Sequence, residues 1–349
     1  MDLSQLMKPE YKNMPSIKTD VLIRALIKMF GITIIRANHQ TEQMHGGIIG
    51  NVILVTGIAE TADGKKLPYK VVLKTQKKWE RPGDPMSWRR EYDLCVSDFK
   101  NVFSDAFRWA GCYHAEMNDG GNETQIWMEH IDGVSGKGLT VEMLECASTE
   151  LGRFQGRLYS QPHLLRNVSN LSKAEEVKDY YTAQRALTAE YRYIRSAGCK
   201  IPVHFRQMLI DADRETESIF ANSKRMPVVL CHRDFWIANI IYSNRKIILI
   251  DWDSVGWGYM FEDVIQLLTD EVGIEYLEHY HRLVSAYLKG FSEYADISMI
   301  DNSYIWKMLV IKFGYYPVSK YLSAKSTAER NQQIAALQKV YNLKGVKFV

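Results

Sequence analysis

The first 131 residues alternate between extended apolar segments and turns. Segments rich in β-branched and aromatic residues are separated by turn clusters such as ADGKK and NDGGN, a pattern typical of an antiparallel sheet. Five strands are predicted, in TIIRANHQ, NVILVTGIAET, LPYKVVLKTQ, FRWAGCYHAEM and ETQIWMEHI. A short helix is predicted at about 18–30. The main helix is predicted at 85–99, because Asp84 can cap it, Pro85 suits its first turn and apolar residues follow at helical spacing.

Beyond about residue 139 the apolar period becomes helical, with one strand-like interruption at 228–258. A turn at Asn244 separates two apolar runs there, as in a hairpin. A chain of 349 residues exceeds what one hydrophobic core usually fills. The sequence therefore predicts an α+β fold with two lobes. Residues 1–131 form an N-terminal lobe with a five-stranded antiparallel sheet and one main helix, and residues 132–349 form a mostly α-helical lobe.

Composition and charge exclude several classes of protein. A formal net charge of +3 is too small to indicate nucleic-acid binding. No stretch is long and apolar enough to span a bilayer, and the N-terminus lacks the features of a signal peptide. The cysteines are scattered, odd in number and without a CxxC pair, which argues against a disulfide framework or a cysteine-rich zinc site. We therefore expect a soluble, cytoplasmic protein.

Chemistry is concentrated in HRDFWIAN, where His232, Asp234 and Asn239 form the pattern HxDxxxxN. Twelve residues further on, the apolar strand KIILI leads into Asp251. A hydroxyl group that attacks a γ-phosphoryl group needs a carboxylate to accept its proton, and Asp234 could do this. Mg²⁺ takes oxygen ligands, which Asn239 and Asp251 could supply. The structural alternative is that Asp234 and Asn239 cap a loop and Asp251 ends a buried strand. For His232 taken by itself, a structural role is the favoured interpretation.

These motifs resemble the superfamily of aminoglycoside phosphotransferases and choline kinases, distant relatives of protein kinases. Its core has HxDxxxxN, an apolar strand and an IDW or IDF tripeptide, and this chain has HRDFWIAN, IDWDSVGWG and then FEDVIQLL. The resemblance implies a bilobal, protein-kinase-like fold. It also implies that Asp234 is the catalytic base, that Asn239 and Asp251 bind magnesium, that Asp263 is a structural acid and that His232 braces the loop. The expected cofactors are ATP, with GTP possible, and Mg²⁺.

Such a kinase needs a lysine that reaches the nucleotide phosphates, and LPYKVVLKTQ offers Lys74. In a strand Val72 points to the same face as Lys74, so it could cover the adenine. Glu91, on the predicted main helix, is our candidate partner for Lys74, although an ordinary surface acid is an alternative. Glu80 competes with it, but lies in KTQKKWERPGDP, which we expect to be a solvated loop or a mobile lid.

Two further segments are candidates for nucleotide contacts. The loop MHGGIIGN could cover the phosphates through Gly46, Gly47 and Asn51, although a plain hairpin turn fits the spacing as well. WMEHIDG resembles the hinge between the lobes, where backbone groups from Glu129 to Ile131 would bond the adenine edge.

The acceptor is expected to be a small molecule, since the short interval between Asp251 and FEDVIQLL leaves no room for a peptide-binding activation segment. One hypothesis is an antibiotic-modifying kinase. The alternatives are a metabolic kinase of choline, an amino alcohol or a sugar, and a nucleotide-binding pseudokinase. Residues 270–349 carry eight acids against ten Lys and Arg, which does not favour a polycation pocket, although Asp270, Glu271 and Glu275 could form a local one. Tyr259 and Met260 replace the Asp and Pro that relatives often have. The sequence leaves the oligomeric state open.

Overall fold

The computed structural model describes residues 16–44, 50–81, 83–269 and 276–348. The predicted loop glycines Gly46 and Gly47, and the acids at 270, 271 and 275, lie outside the described residues. The strands are β1 (Ile34–Ala37), β2 (Gln40–Gln43), β3 (Asn51–Thr61), β4 (Lys66–Lys77), β5 (Phe107–Trp109), β6 (Cys112–Asn118), β7 (Glu123–Glu129), β8 (Val134–Ser135), β9 (Val228–Cys231), β10 (Ile240–Ser243), β11 (Lys246–Leu249) and β12 (Gly256–Tyr259).

Helices predominate after β8. The helices are α1 (Thr19–Phe30), α2 (Arg90–Cys95), α3 (Val141–Ser160), α4 (Ala174–Asp179), α5 (Ala189–Arg195), α6 (Val203–Ala221), α7 (Glu262–Leu268), α8 (Tyr280–Ser292), α9 (Asn302–Phe313), α10 (Tyr315–Ser323) and α11 (Thr327–Asn342). In the part of the chain that the structure describes, no helix has the length and apolar character needed to cross a membrane. The predicted α+β class is therefore confirmed.

The chain divides into two compact units. The first comprises the residues up to Val134 together with Leu164–Asn170 and Ser243–Ser254, and the second comprises the remainder. The first unit thus takes in β11 and the residues just after it, among them Asp251. Asp234 and Asn239 lie in the second unit.

An antiparallel sheet forms the centre of the first unit, with the order β1-β3-β4-β7-β6 and with β2 paired to β3. It has one strand more than predicted, because β2 (QTEQ) is polar and fully exposed and offers no apolar alternation to detect. The predicted strand FRWAGCYHAEM is also divided. Its first part, β5, pairs in parallel with β11, whereas β6 alone joins the antiparallel sheet.

Helix α1 packs on one face of this sheet and forms the core of the first unit. Val21, Leu22, Ala25 and Leu26 of the helix are buried in one cluster with residues of β3, β4 and β7, among them Ile53, Val55, Val71, Leu73 and Trp127. Since side chains alternate along a strand, the opposite face of β4 carries Val72 and Lys74, both half-buried. The predicted shared face of these two residues is therefore present.

The predicted helix at 85–99 is broken into shorter pieces. Helix α2 is flanked by 3₁₀ turns at Ser87–Arg89 and Asp98–Val102. Asp84 does not cap a helix: its carboxylate oxygens accept hydrogen bonds from the guanidinium of Arg90 at 2.5 and 2.8 Å. Arg90 is only 1% exposed, and a buried guanidinium needs a counter-ion, so the predicted cap binds Arg90 instead.

In the second unit, α3 and α8 pack closely because glycines line their contact. A Cβ added at Gly290 would lie 2.0 Å from the carbonyl oxygen of Thr149, and one added at Gly152 would lie 2.1 Å from that of Tyr287. Strands β9 and β12 pair antiparallel, with Cys231 opposite Gly256. The predicted catalytic loop therefore starts at a fixed point, at His232 directly after β9.

Candidate active site

Lys74 lies between two carboxylates of the first unit. Its Nζ is 2.6 Å from Oε2 of Glu91 and 2.6 Å from Oδ1 of Asp251. The other oxygen of Glu91, Oε1, accepts the backbone N–H of Trp252 at 3.4 Å. The pairing predicted between Lys74 and Glu91 is thus present, and Glu91 also fixes the backbone next to Asp251. The competitor Glu80 is exposed.

Burial and charge together set the protonation of this cluster. Burial opposes the charge on Lys74, but the carboxylates of Asp251, Glu91 and Asp253 outweigh it, so the pKa of Lys74 lies well above its ordinary value. Burial raises the pKa of Glu91, and the ammonium of Lys74 counteracts part of that increase. Lys74 is therefore held in its charged form.

Asp251 adopts a backbone conformation that is unusual for a residue with a side chain. Its φ is +64°, in the left-handed region, which costs on the order of 1 kcal/mol for a residue other than glycine. It follows β11, which is fixed by its parallel pairing with β5. The local strain is consistent with a side chain held in a defined position for function.

Arg81 is a second cation of this cluster, and the sequence interpretation missed it. Its Nη2 is 3.6 Å from Oδ2 of Asp253, and its Nη1 donates to the hydroxyl of Ser254 at 2.9 Å. Trp79 lies beneath the guanidinium, 5.1 Å from ring centre to Cζ, and is 6% exposed. The segment at 74–85 is therefore anchored beside Asp253, and the expectation of a solvated loop is wrong for Trp79 and Arg81.

Asp263 of α7 holds the backbone of the HRDFWIAN loop in the second unit. One carboxylate oxygen accepts the backbone N–H of Arg233 at 2.8 Å, and the other accepts that of His232 at 2.8 Å and the Nε2 amide of Gln155 at 2.9 Å. Burial raises the pKa of Asp263 to about 6, against the effect of the two N–H donors. These contacts agree with the structural role that the resemblance implies for Asp263.

His232 and Arg233 shape the loop rather than face solvent. His232 is 1% exposed, and its Nδ1 accepts the backbone N–H of Asp234 at 3.3 Å. Arg233 has a φ of +64°, and its guanidinium bonds Ser172 and the carbonyl oxygens of Lys173 and Trp257. His232 therefore braces the loop by hydrogen bonds, as the sequence interpretation favoured.

Both oxygens of the Asp234 carboxylate accept hydrogen bonds from side-chain amides. Nδ2 of Asn239 donates to Oδ2 at 2.7 Å and also to the main-chain oxygen of Asp234 at 3.0 Å. Nε2 of Gln266, on α7, donates to Oδ1 at 3.2 Å. The motif residues Asp234 and Asn239 are thus in direct contact, and Gln266 is a partner that the sequence interpretation did not identify.

The apolar face beside Lys74 is suited to a flat ring. Val72 is opposite Leu54 in β3 and Met128 in β7, while Lys74 is opposite Ile126. Cross-strand partners point to the same side of a sheet, so these side chains share one face. Val72 therefore lies in an apolar patch next to the ammonium of Lys74.

The described end of the predicted phosphate loop lies against β4. Asn51 begins β3, is 7% exposed and is opposite Thr75. A Cβ added at Gly50 would be 3.2 Å from the carbonyl oxygen of Thr75 and 3.8 Å from Cε of Lys74. Gly50, which the sequence interpretation passed over, is the glycine that allows the loop to approach Lys74.

The predicted hinge is fixed through Glu129. Its carboxylate pairs with Arg108 at 2.6 and 2.9 Å, and its backbone N–H donates to the carbonyl of Gly111 at 2.7 Å. That N–H is therefore engaged within the first unit. A contact of the other backbone groups of residues 129–131 with the adenine edge stays a prediction.

Among the described residues, no group of three or more His, Cys, Asp and Glu could hold a metal ion. That set of residue types does not include asparagine. A magnesium site that shares its ligands with nucleotide phosphates needs only one or two protein carboxylates. Magnesium binding by Asn239 and Asp251 therefore stays a prediction.

Comparison with known proteins connects this geometry to a family. Residues 125–296 match the model of the phosphotransferase enzyme family, which includes the whole segment from HRDFWIAN to FEDVIQLL. No curated protein matches the chain in sequence.

Solved structures of similar fold include an aminoglycoside phosphotransferase and a choline kinase. The aminoglycoside phosphotransferase APH(2″)-IIia, in a complex with GDP and kanamycin, is 13% identical with a TM-score of 0.53; 94% of this chain and 100% of that chain are covered. The choline kinase of Cryptosporidium parvum Iowa II is 14% identical with a TM-score of 0.51, and 87% and 90% are covered. At these identities the likeness shows a common fold.

The family match and the common fold agree with the motif residues described above. Residues 125–296 match the model of the phosphotransferase enzyme family, and the fold is shared with an aminoglycoside phosphotransferase and a choline kinase, which agrees with the resemblance that the motifs carry.

Proposed function

We propose that the protein transfers the γ-phosphoryl group of ATP to a hydroxyl group of a small molecule, with GTP as a possible second donor. The observation that carries this proposal is the position of Lys74, with its Nζ 2.6 Å from both Glu91 and Asp251. A buried ammonium held by two carboxylates, beside an apolar face, is suited to bind nucleotide phosphates while the adenine lies on Val72. The GDP complex of APH(2″)-IIia supports including GTP.

In this proposal Lys74 binds the α and β phosphates and Glu91 keeps its ammonium in place. The backbone of Gly50 and Asn51 contacts the phosphates, and backbone groups of residues 129–131 contact the base. A lysine with an elevated pKa stays charged throughout the neutral range, so it neutralises phosphate without a proton transfer of its own.

Asn239 and Asp251 each offer an oxygen atom of the kind that a magnesium ion binds. The amide nitrogen of Asn239 donates to Asp234, which leaves its Oδ1 as the atom that can bind a cation. Asp251 presents a carboxylate with 37% of its side chain exposed. Hard oxygen ligands of this kind are those Mg²⁺ prefers, and the ion would neutralise charge on the β and γ phosphates.

Asp234 is the proposed general base. Its carboxylate would accept the proton of the attacking hydroxyl, while the amide of Asn239 and the braced loop backbone fix its position. Because the loop backbone is bound to Asp263, the base does not have to be ordered when the acceptor binds.

The acceptor class divides the proposal into two branches. Kanamycin in the APH(2″)-IIia complex favours an aminoglycoside, and the choline kinase favours a small amino alcohol such as choline. Residues 270–349 carry ten Lys and Arg against eight acids. This balance favours a small amino alcohol, since a polycationic sugar needs an excess of acids.

The test is phosphoryl transfer from radiolabelled ATP to a panel of aminoglycosides, choline, amino alcohols and sugars. We expect one class to be labelled, and Asp234→Ala to lower turnover by about 10²–10⁴-fold, the usual contribution of a general base. Asp211→Asn, in a surface pair with Arg214, is the matched control and should leave turnover unchanged. Full turnover in Asp234→Ala would refute the assigned base. ATP binding without labelling of any acceptor would instead indicate a pseudokinase.

A further inference from the structure

We infer that Gln266 is a positioning residue for Asp234, a role that rests on the proposed function of Asp234 as the base. Nε2 of Gln266 donates to Oδ1 of Asp234 at 3.2 Å, while Nδ2 of Asn239 donates to Oδ2 at 2.7 Å. The two carboxylate oxygens are thus held by amides from two different elements, the loop and α7.

A single donor does not define the plane of a carboxylate. A carboxylate held at one oxygen only can rotate about its Cβ–Cγ bond while keeping that hydrogen bond, because this torsion is soft. A second donor on the other oxygen removes that freedom. The lone pairs of Asp234 then point in one direction, as a base must when it receives the proton of a bound hydroxyl.

Gln266 is a polar residue within the apolar C-terminal part of α7. Its neighbours on α7, Val264, Ile265, Leu267 and Leu268, are all fully buried hydrophobic residues. Oε1 of Gln266 is buried and has no hydrogen-bond partner among the described residues. Leaving a buried carbonyl unpaired is unfavourable, so a leucine or methionine would be the better choice for stability alone.

The carboxylate also decides which way the amide faces. An ionised carboxylate only accepts hydrogen bonds, so Gln266 must present its nitrogen to Asp234 and turn its oxygen away. The unpaired oxygen is therefore a consequence of the contact with Asp234, and that contact is what the glutamine provides.

Helix α7 thereby connects two parts of the loop. Asp263 and Gln266 are three residues apart, so they lie on the same side of the helix. Asp263 binds the backbone of His232 and Arg233, and Gln266 binds the side chain of Asp234. One turn of α7 therefore holds both the backbone of the loop and the carboxylate of Asp234.

The experiment compares Gln266→Leu with Leu267→Met, a control on the same buried helix that alters no polar group. Steady-state kinetics with ATP and the labelled acceptor should give a kcat at least tenfold lower in Gln266→Leu, with both KM values within twofold of the parent. Leu267→Met should retain the parent kcat. Gln266→Glu keeps the chain length but replaces the donor by a second acceptor, so its kcat should fall at least as far. Thermal unfolding checks that all three variants are folded.

A double-mutant cycle distinguishes positioning from a general structural effect. If Gln266 acts through the carboxylate, Gln266→Leu causes no further loss of turnover in an Asp234→Ala background. The inference would be overturned if the fold-losses of turnover in the two single variants multiply in the double variant, or if Gln266→Leu has the kcat of the parent. Full turnover in Asp234→Ala would instead refute the proposed base, so the failure of one is distinguishable from failure of the other.

Discussion

Replacing Lys74 by methionine tests the charge balance of the nucleotide-binding cluster. The substitution keeps the length and most of the volume of the side chain but removes the ammonium. Glu91, with only 2% of its side chain exposed, then loses its counter-ion. The variant should have no measurable phosphoryl transfer, because nothing else in the cluster is proposed to reach the α and β phosphates.

The expected loss of stability follows from burial. Removing one partner of a buried ion pair typically costs about 3–5 kcal/mol, because the other charge is left without compensation. Asp251, the second partner, is 37% exposed and can be solvated, so the loss should come mainly from Glu91. We expect about 3 kcal/mol. Adding Glu91→Gln to Lys74→Met removes the uncompensated charge and should restore about half of that loss.

Urea unfolding, followed by tryptophan fluorescence, would give the free energy of unfolding of the parent, both single variants and the double variant at pH 7 and pH 5. Burial already raises the pKa of Glu91, and loss of Lys74 raises it further, so Glu91 takes up a proton more readily in Lys74→Met. The folded pKa then lies above the unfolded value, so the destabilisation should be smaller at pH 5 than at pH 7. A double variant whose loss equals the sum of the two single losses would refute this reasoning.

Three further predictions concern residues around the site. Burial gives Asp263 a pKa of about 6 in the folded protein, against an ordinary value of 3.8. Its contribution to the free energy of unfolding is therefore complete below pH 3.8, and about 3 kcal/mol of it is lost as the pH rises to 6. Asp263→Asn should remove this pH dependence, as measured by urea unfolding. Gly290→Ala would push a Cβ against the backbone of α3 and should cost about 3 kcal/mol by calorimetry, whereas Gly198→Ala, which has open space, should cost little. Arg81→Ala frees the carboxylate of Asp253 and should raise KM for ATP severalfold with little change in kcat.

Features that depend on short stretches of chain could be predicted from the sequence. Alternation along β4 indicated that Val72 and Lys74 share a face, because that follows from strand geometry alone. The spacing HxDxxxxN indicated that Asp234 and Asn239 act together, and they are in direct contact. Helix α1 was predicted nearly to its ends, since its apolar stripe and Gly31, with a φ of +68°, are local signals.

Features that depend on distant contacts could not be predicted. Arg81 lies in a charged, proline-containing stretch, and only its packing on Trp79 and its contact with Asp253, far along the chain, give it a place in the cluster. Asp84 has the local pattern of a helix cap, but the buried guanidinium of Arg90 binds it more strongly. For Gln266 the sequence does hold a local signal, a lone glutamine within VIQLL, because a buried amide needs a partner.

The charges of the first unit bear on the form in which a nucleotide binds there. Three carboxylates, of Glu91, Asp251 and Asp253, face two cations, Lys74 and Arg81. Burial and the charge of Asp251 raise the pKa of Asp253, which indicates that the excess negative charge is already unfavourable. A free triphosphate would add to that excess, whereas a triphosphate accompanied by a divalent cation would reduce it. We therefore expect the cluster to favour the metal complex of the nucleotide, in which Lys74 would bind phosphate and Asp251 would hold the cation.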